Sequence, residues 1–249
     1  DANTTGAYNT GLGYGALSAN TTASNNTAVG SLALLANTTA ADNTALGTQA
    51  LTSNTTGVSN TGIGRSALLV NTTGQENTAV GEQCLSANTT GVGNCALGRQ
   101  ALHNNTTASN NTGMGLYALY ANTTGTANVA FGRSASEGNT TASSNTSIGY
   151  QALKQTSTGA SNVAVGADAL TDNTTGANNT AVGKSALEVN TTGEHNTAIG
   201  PSSGHKVTTG SQNTCIGYVS GNALTTGSYN VFLGRAAGGA ETSGSNNLY

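Results

Sequence analysis

Apolar side chains return along this chain at a stride of seventeen residues, each stride headed by an Asn and carrying a Gly four residues later. The heads are Asn9, Asn26, Asn43, Asn60, Asn77, Asn94, Asn111, Asn128, Asn145, Asn162, Asn179, Asn196, Asn213 and Asn230, and no insertion or deletion disturbs the register. Numbered from its Asn, the unit reads N-T-A-V-G-x-x-A-L-x-x-N-T-T-G-x-N. Position four is apolar throughout, from Leu12 and Val29 to Ile216 and Leu233, and position nine is Leu from Leu17 through Leu187 except at Ser136. Where position two becomes Val, as in Asn162 to Gly166, the alternation predicts a short strand with positions two and four directed inward. Thr at position two is then an inward side chain whose hydroxyl finds a partner along the stack. Position three, between them, should face outward, yet it stays small until Phe232, and position eight holds only Ala, Cys or Ser. The expectation is that an opposing strand of the same coil, or another chain, packs close against both columns.

A period of this length is the mark of stacked supersecondary units. The Gly at position five suits a corner that needs positive φ or close backbone approach. The T-G-x-N connector has turn residues, and Asn tolerates left-handed geometry while bonding backbone groups through its amide. No helix of useful length survives a Gly and an Asn-Thr turn in every unit. The predicted fold is all-β: a parallel β-solenoid with one repeat per coil and two or three short strands in each. One domain is expected over 1–249, with a main coil subtype over 1–200 and a variant over 201–249. In the variant, Leu at position nine gives way to Gly204, Gly221 and Gly238, while Asn at position twelve becomes Val207 and Leu224. An apolar group lost from one wall reappears on another, with altered strand boundaries as the expected consequence.

Composition limits the function classes. Charged residues are 7% of the chain and the net charge is -3 without runs, against ~25% charged in ordinary globular chains. That leaves no electrostatic footprint for nucleic acid or an anionic membrane. No apolar run approaches the ~18 residues of a membrane-spanning helix, and no secretory signal is visible. The chain starts in mid-repeat and stops within a new unit, as a portion of something longer would. Aromatic residues are only 4%, with no Trp, so the core is thin. Thin core and small columns together argue for association, most simply as a parallel homotrimer, with end-to-end joining into filaments through open coil ends as a further expectation.

Candidate chemistry is sparse. His103, His195 and His205 occupy variable positions without companions at metal spacing, and read as surface residues. Cys84, Cys95 and Cys215 replace Ala or Thr and read as small buried fillers. Arg65, Arg99, Arg133, Lys184 and Arg235 share position six with Glu82, an edge that would meet an anionic surface glycan if it is not simply solvated. The Thr pairs at positions thirteen and fourteen stack hydroxyls, which raises ice binding, although adjacent Thr residues place only one of each pair on a given face. Asn-Thr-Thr is also a glycosylation acceptor, at Asn3, Asn20, Asn37, Asn54, Asn71, Asn88, Asn105, Asn122, Asn139, Asn173 and Asn190. Position twelve tolerates Thr156, Val207 and Leu224, so it reads as the less structural Asn column and the one to carry sugar, with a turn ladder as the preferred alternative. No catalytic, cofactor-binding or metal-binding residues are predicted.

The stretch NTAVGKSAL, Asn179 to Leu187, resembles the SVAIG-type repeats of trimeric autotransporter adhesin heads, and the whole unit resembles the NTTG repeat arrays of phage tail fibres and bacterial surface fibres. The resemblance covers essentially all of the chain and implies a left-handed, trimeric β-roll. The adhesin repeat is shorter than seventeen residues, and no neck, coiled coil or membrane anchor is present in this sequence. The function it implies is that of a non-enzymatic structural shaft in an extracellular fibre, on a cell surface, a secreted filament or a virion. The alternative is a surface-binding module that recognises glycans or ice along a repeated face.

Overall fold

A computed structural model describes residues 2–249. Contacts divide the chain into two compact units, Asp1–Thr126 and Ala127–Tyr249. The first holds β1 (Thr10–Leu12), β2 (Thr27–Val29), β3 (Thr44–Leu46), β4 (Thr61–Ile63), β5 (Thr78–Val80), β6 (Cys95–Leu97) and β7 (Thr112–Met114). The second holds β8 (Val129–Phe131), β9 (Thr146–Ile148), β10 (Val163–Val165), β11 (Thr180–Val182), β12 (Thr197–Ile199), β13 (Thr214–Ile216) and β14 (Val231–Leu233). Within each unit the strands pair parallel in chain order and stack like on like. In the first unit Thr27, Ala28 and Val29 face Thr44, Ala45 and Leu46; in the second Val163, Ala164 and Val165 face Thr180, Ala181 and Val182. Each unit is therefore a parallel β-solenoid with one seventeen-residue repeat per coil.

Each coil contributes one three-residue strand, not the two or three expected. Left-handed residues at positions seven, nine and seventeen break the extended conformation, as at Leu32 (φ 60), Leu34 (φ 49) and Asp42 (φ 62). Hydrogen bonding between coils nevertheless continues outside the strands: Leu34 N–H donates to the Ala50 carbonyl at 3.1 Å and Thr21 N–H to Thr38 at 3.1 Å. Backbone groups thus stay satisfied around the coil although only positions two to four are extended.

The facing of the strand is the reverse of the sequence expectation. Position three points into the coil, with Ala28, Ala45, Ala79 and Ala164 fully buried, while positions two and four point out. The cause is the opposite wall, where the position-nine Leu column lies against the strand. A Cβ added at Gly62 would sit 3.3 Å from Leu51 Cγ and 3.4 Å from the Ala67 carbonyl oxygen. A coil this narrow has room for one large wall and one small one. The small columns at three and eight therefore meet inside a single coil, and no second chain is needed to explain them.

The Leu wall is held at a conformational cost. A left-handed Leu is disfavoured by roughly 1–2 kcal/mol, and burial of its side chain returns about 2–3 kcal/mol; Leu34, Leu51, Leu102 and Leu153 are all fully buried. Gly at position five is required more strictly. Gly30 has φ +132, and a Cβ there would come within 2.6 Å of the Gly47 carbonyl oxygen in the next coil. In the variant coils the strands still span positions two to four, from Thr197–Ile199 to Val231–Leu233. The expected change in strand boundaries does not occur, because the exchange is made entirely by side chains on the core walls.

Candidate functional site: two inner ladders and two outer columns

The two Asn columns are internal clamps. Asn43 donates its backbone N–H to Asn26 Oδ1 at 3.0 Å and its Nδ2–H to the Gly57 carbonyl, also at 3.0 Å. Asn54, at position twelve, donates Nδ2–H to Asn37 Oδ1 at 3.1 Å and to the same Gly57 carbonyl at 2.8 Å. One carbonyl at position fifteen thus ties both corners of its coil, while each amide oxygen ties one coil to the next. The second unit repeats this: Asn162 and Asn173 both donate to the Gly176 carbonyl at 2.9 Å. Asn has the short reach and the paired donor and acceptor that this needs.

Every position-one Asn from Asn26 to Asn230 is buried, and so are Asn20, Asn37, Asn54, Asn71, Asn88, Asn105, Asn122, Asn139, Asn173 and Asn190. Position twelve is therefore as structural as position one. A sugar is attached at Nδ2, the atom that donates these ladder bonds, so N-glycosylation would require the ladder to open. Asn3 is the one exposed member of the Asn-Thr-Thr column. The ladder ends where Val207 replaces Asn, and Asn190 Oδ1 is left there without a partner.

The outer face of each sheet carries two columns. Position four remains exposed to a large degree, at 46% for Leu46, 56% for Phe131 and 42% for Ile199. Position two beside it is Thr, Val or Cys, so no charged side chain occurs on this face in any coil. Sequence reasoning placed these apolar residues in the core; the restriction of position three to small residues was the signal that this wall faced inward. Cys95 lies on this outer face at position two, half-buried, whereas Cys84 and Cys215 are buried. Burial pushes both buried thiols up to about 12.

Position six forms an ionic edge. Arg65 and Arg99 both pair with Glu82, Arg99 through Nε at 3.5 Å. The hydrogen bond and charge of Arg65 hold the Glu82 carboxyl below its ordinary range. Arg133 packs over the Tyr150 ring at 5.9 Å. Three of the five cations are thus engaged within the chain. Of the histidines, His103 stacks on Tyr120 and its Nδ1 lies 2.8 Å from Ser86 Oγ, while His205 Nδ1 lies 3.5 Å from Glu188. Among the described residues no group of three or more His, Cys, Asp or Glu could hold a metal ion, and no helix is long and apolar enough to cross a membrane.

A further exposed column is position fourteen. Thr55, at thirteen, turns its hydroxyl back to donate to the Thr72 carbonyl at 3.1 Å, and this repeats along the stack. Its neighbour at fourteen is Thr56, one of a column that stands exposed in every coil. No protein-family model matches this chain, and no curated protein matches it.

Proposed function

We propose that this protein is the structural shaft of an extracellular fibre, assembled as a parallel homotrimer through the outer sheet face and working by length and stiffness. The supporting observation is the uncharged stripe of positions two and four, which leaves large apolar side chains in water in coil after coil. Isolated exposed apolar residues are ordinary, but a contiguous stripe is a mark of association. The partner that fits is another copy of this chain. Only a surface with the same seventeen-residue repeat stays in step with the stripe coil after coil, and like coils then meet at the same level. The resemblance to adhesin heads and tail-fibre arrays supplies the trimer, the handedness and the extracellular setting of this reading.

Ice recognition rests on the Thr pairs at positions thirteen and fourteen; carried over to this outer face, it would have to use the Thr and aliphatic columns at positions two and four. A lattice, however, asks for side chains of one size, and position four runs from Val29 to Met114 and Phe131. Apolar packing between copies tolerates that variation, so the face favours self-association.

Cys95 provides the test. The other two thiols are buried, so a short bismaleimide should react at Cys95 alone. Parallel, in-register association brings Cys95 of one copy level with Cys95 of the next. Covalent dimers on a denaturing gel, with a native mass about three times the 24.3 kDa chain, are expected. A native mass of one chain with no crosslink sinks the reading, and an oligomer that fails to crosslink overturns the parallel register.

A further inference from the structure

Fourteen coils in one chain act as their own set of comparisons. Exposed columns with no partner should drift. Position seventeen does, holding Asp42, Ser59, Glu76, Asn178 and His195, all exposed. Position fourteen does not: it is Thr in every coil from Thr5 to Thr226, and every one is exposed. Nothing among the described residues accounts for this. The Thr56 backbone N–H is held by the Thr72 carbonyl at 3.2 Å, a bond any non-proline residue would make. Among the described residues the position-fourteen hydroxyls make no hydrogen bond, in contrast to position thirteen, whose hydroxyls bond the next coil.

The surroundings decide what this column can do. A site for a free ligand needs several groups that converge on it. Here one hydroxyl per coil projects beside a buried Gly or Ala at position fifteen and an engaged hydroxyl at thirteen. An ice plane would need a second regular column, and position seventeen is irregular. Covalent modification needs only one accessible nucleophile in a recurring local context, and N-T-T-G/A supplies it in eleven of the fourteen coils from Thr5 to Thr226.

A second observation points the same way. With 7 Lys and Arg and 10 Asp and Glu over 249 residues, the chain has far fewer charges than the ~25–35% of surface that keeps proteins dispersed. Hydration of its surface therefore rests on neutral hydroxyl and amide groups, to which sugars would add.

We propose that the position-fourteen threonines carry O-linked sugars, forming a carbohydrate edge along each unit. In the step, Thr Oγ1 attacks the anomeric carbon of a nucleotide-activated sugar bound to a separate transferase. The new carbon–oxygen bond forms as the bond from the anomeric carbon to phosphate breaks. The nucleoside diphosphate leaves with the electron pair, and the hydroxyl proton passes to a base of the transferase. Burial of the Asn at position twelve turns the repeated Asn-Thr-Thr from an N-linked acceptor into an O-linked one.

The test is peptide mapping with electron-transfer fragmentation on protein purified from the producing cells. Expected are peptides heavier by whole sugar residues, with the mass located on position-fourteen threonines such as Thr56, Thr73 and Thr90. A triple Thr→Val variant at those three, made in the same cells, should lose the sugar there and keep it elsewhere. Unmodified peptides throughout, or sugar found only on position twelve or thirteen, would overturn the proposal. The shaft reading does not depend on the result, because Cys95 crosslinking reports on a different column.

Discussion

The coils headed by Asn162 and Asn179 and those headed by Asn196 and Asn213 close the same kind of core in two ways. The first pair fills it with Leu170 and Leu187 at position nine and lines the corner with the Asn173 and Asn190 amides. The second pair places Gly204 (φ 59) and Gly221 (φ 57) at nine and fills the core from Val207 and Leu224 at twelve. Position three grows as well: Ala198 gives way to Cys215 and then Phe232, all fully buried. A Cβ at Gly221 would meet Cys215 Sγ at 2.7 Å and Phe232 Cδ2 at 2.9 Å, so the larger residues occupy the space Leu has left. The main coil accepts a left-handed Leu and gains a polar ladder. The variant coil relieves the backbone with Gly and gives up the ladder. Volume is kept in both, as a close-packed interior requires.

Phe232→Ala should break the variant solution most severely. The ring lies against positions occupied by Gly221 and Gly238, which have no side chain with which to close the gap. A loss of about 3–5 kcal/mol is expected, read as a lower denaturant midpoint by tyrosine fluorescence or circular dichroism. Leu170→Ala in the main coils should cost about 2–5 kcal/mol, so equal and small effects from both would show that the walls are not packed as described.

Gly204→Leu, which imposes the main-coil residue on a variant coil, should destabilise by about 1–3 kcal/mol through overpacking. The new Cβ would lie 3.1 Å from Leu187 Cδ2, and Val207 already fills the space. Adding Val207→Asn should recover part of the loss, since Asn190 Oδ1 would gain a donor. Denaturant melts of the single and double variants measure this; a double variant less stable than Gly204→Leu alone would contradict the exchange.

The smallest effect is expected at position twelve of the coil headed by Asn230, where Glu241 stands in place of Asn. Its Oε1 accepts the backbone N–H of Gly244 at 2.5 Å and of Ser243 at 3.2 Å. These bonds hold the carboxyl below its ordinary value of 4.5. A lowered carboxylate stabilises the turn above its unfolded pKa and loses that hold as pH falls through the folded value. Amide exchange at Ser243 and Gly244 should therefore be protected near neutrality and lose protection below about pH 4.5, relative to the intrinsic exchange rate. The corresponding Asn-capped turns should show no such pH step, and Glu241→Gln should remove it.

Much of this was legible from residue order. The coil, its length, the corner at Gly, the core role of Leu at nine and the correlated change at Gly204 and Val207 all follow from periodicity. The direction of the strand did not. Alternation states that positions two and four share a face and three opposes it, but either face satisfies the pattern, and the larger side chains at four suggested the wrong one. The second Asn column was likewise undervalued. Its substitutions at Thr156, Val207 and Leu224 looked like surface tolerance, whereas all three are buried and mark an interrupted or repacked ladder.

The sequence by itself determined a stacked parallel β-solenoid, since an uninterrupted repeat with Gly at every corner fits nothing else so well. Only the tertiary structure decided which side of the strand is core. The reason is the width of the coil: Leu at nine reaches across it and leaves room for nothing larger than Ala opposite, so the larger residues at position four are turned outward to solvent.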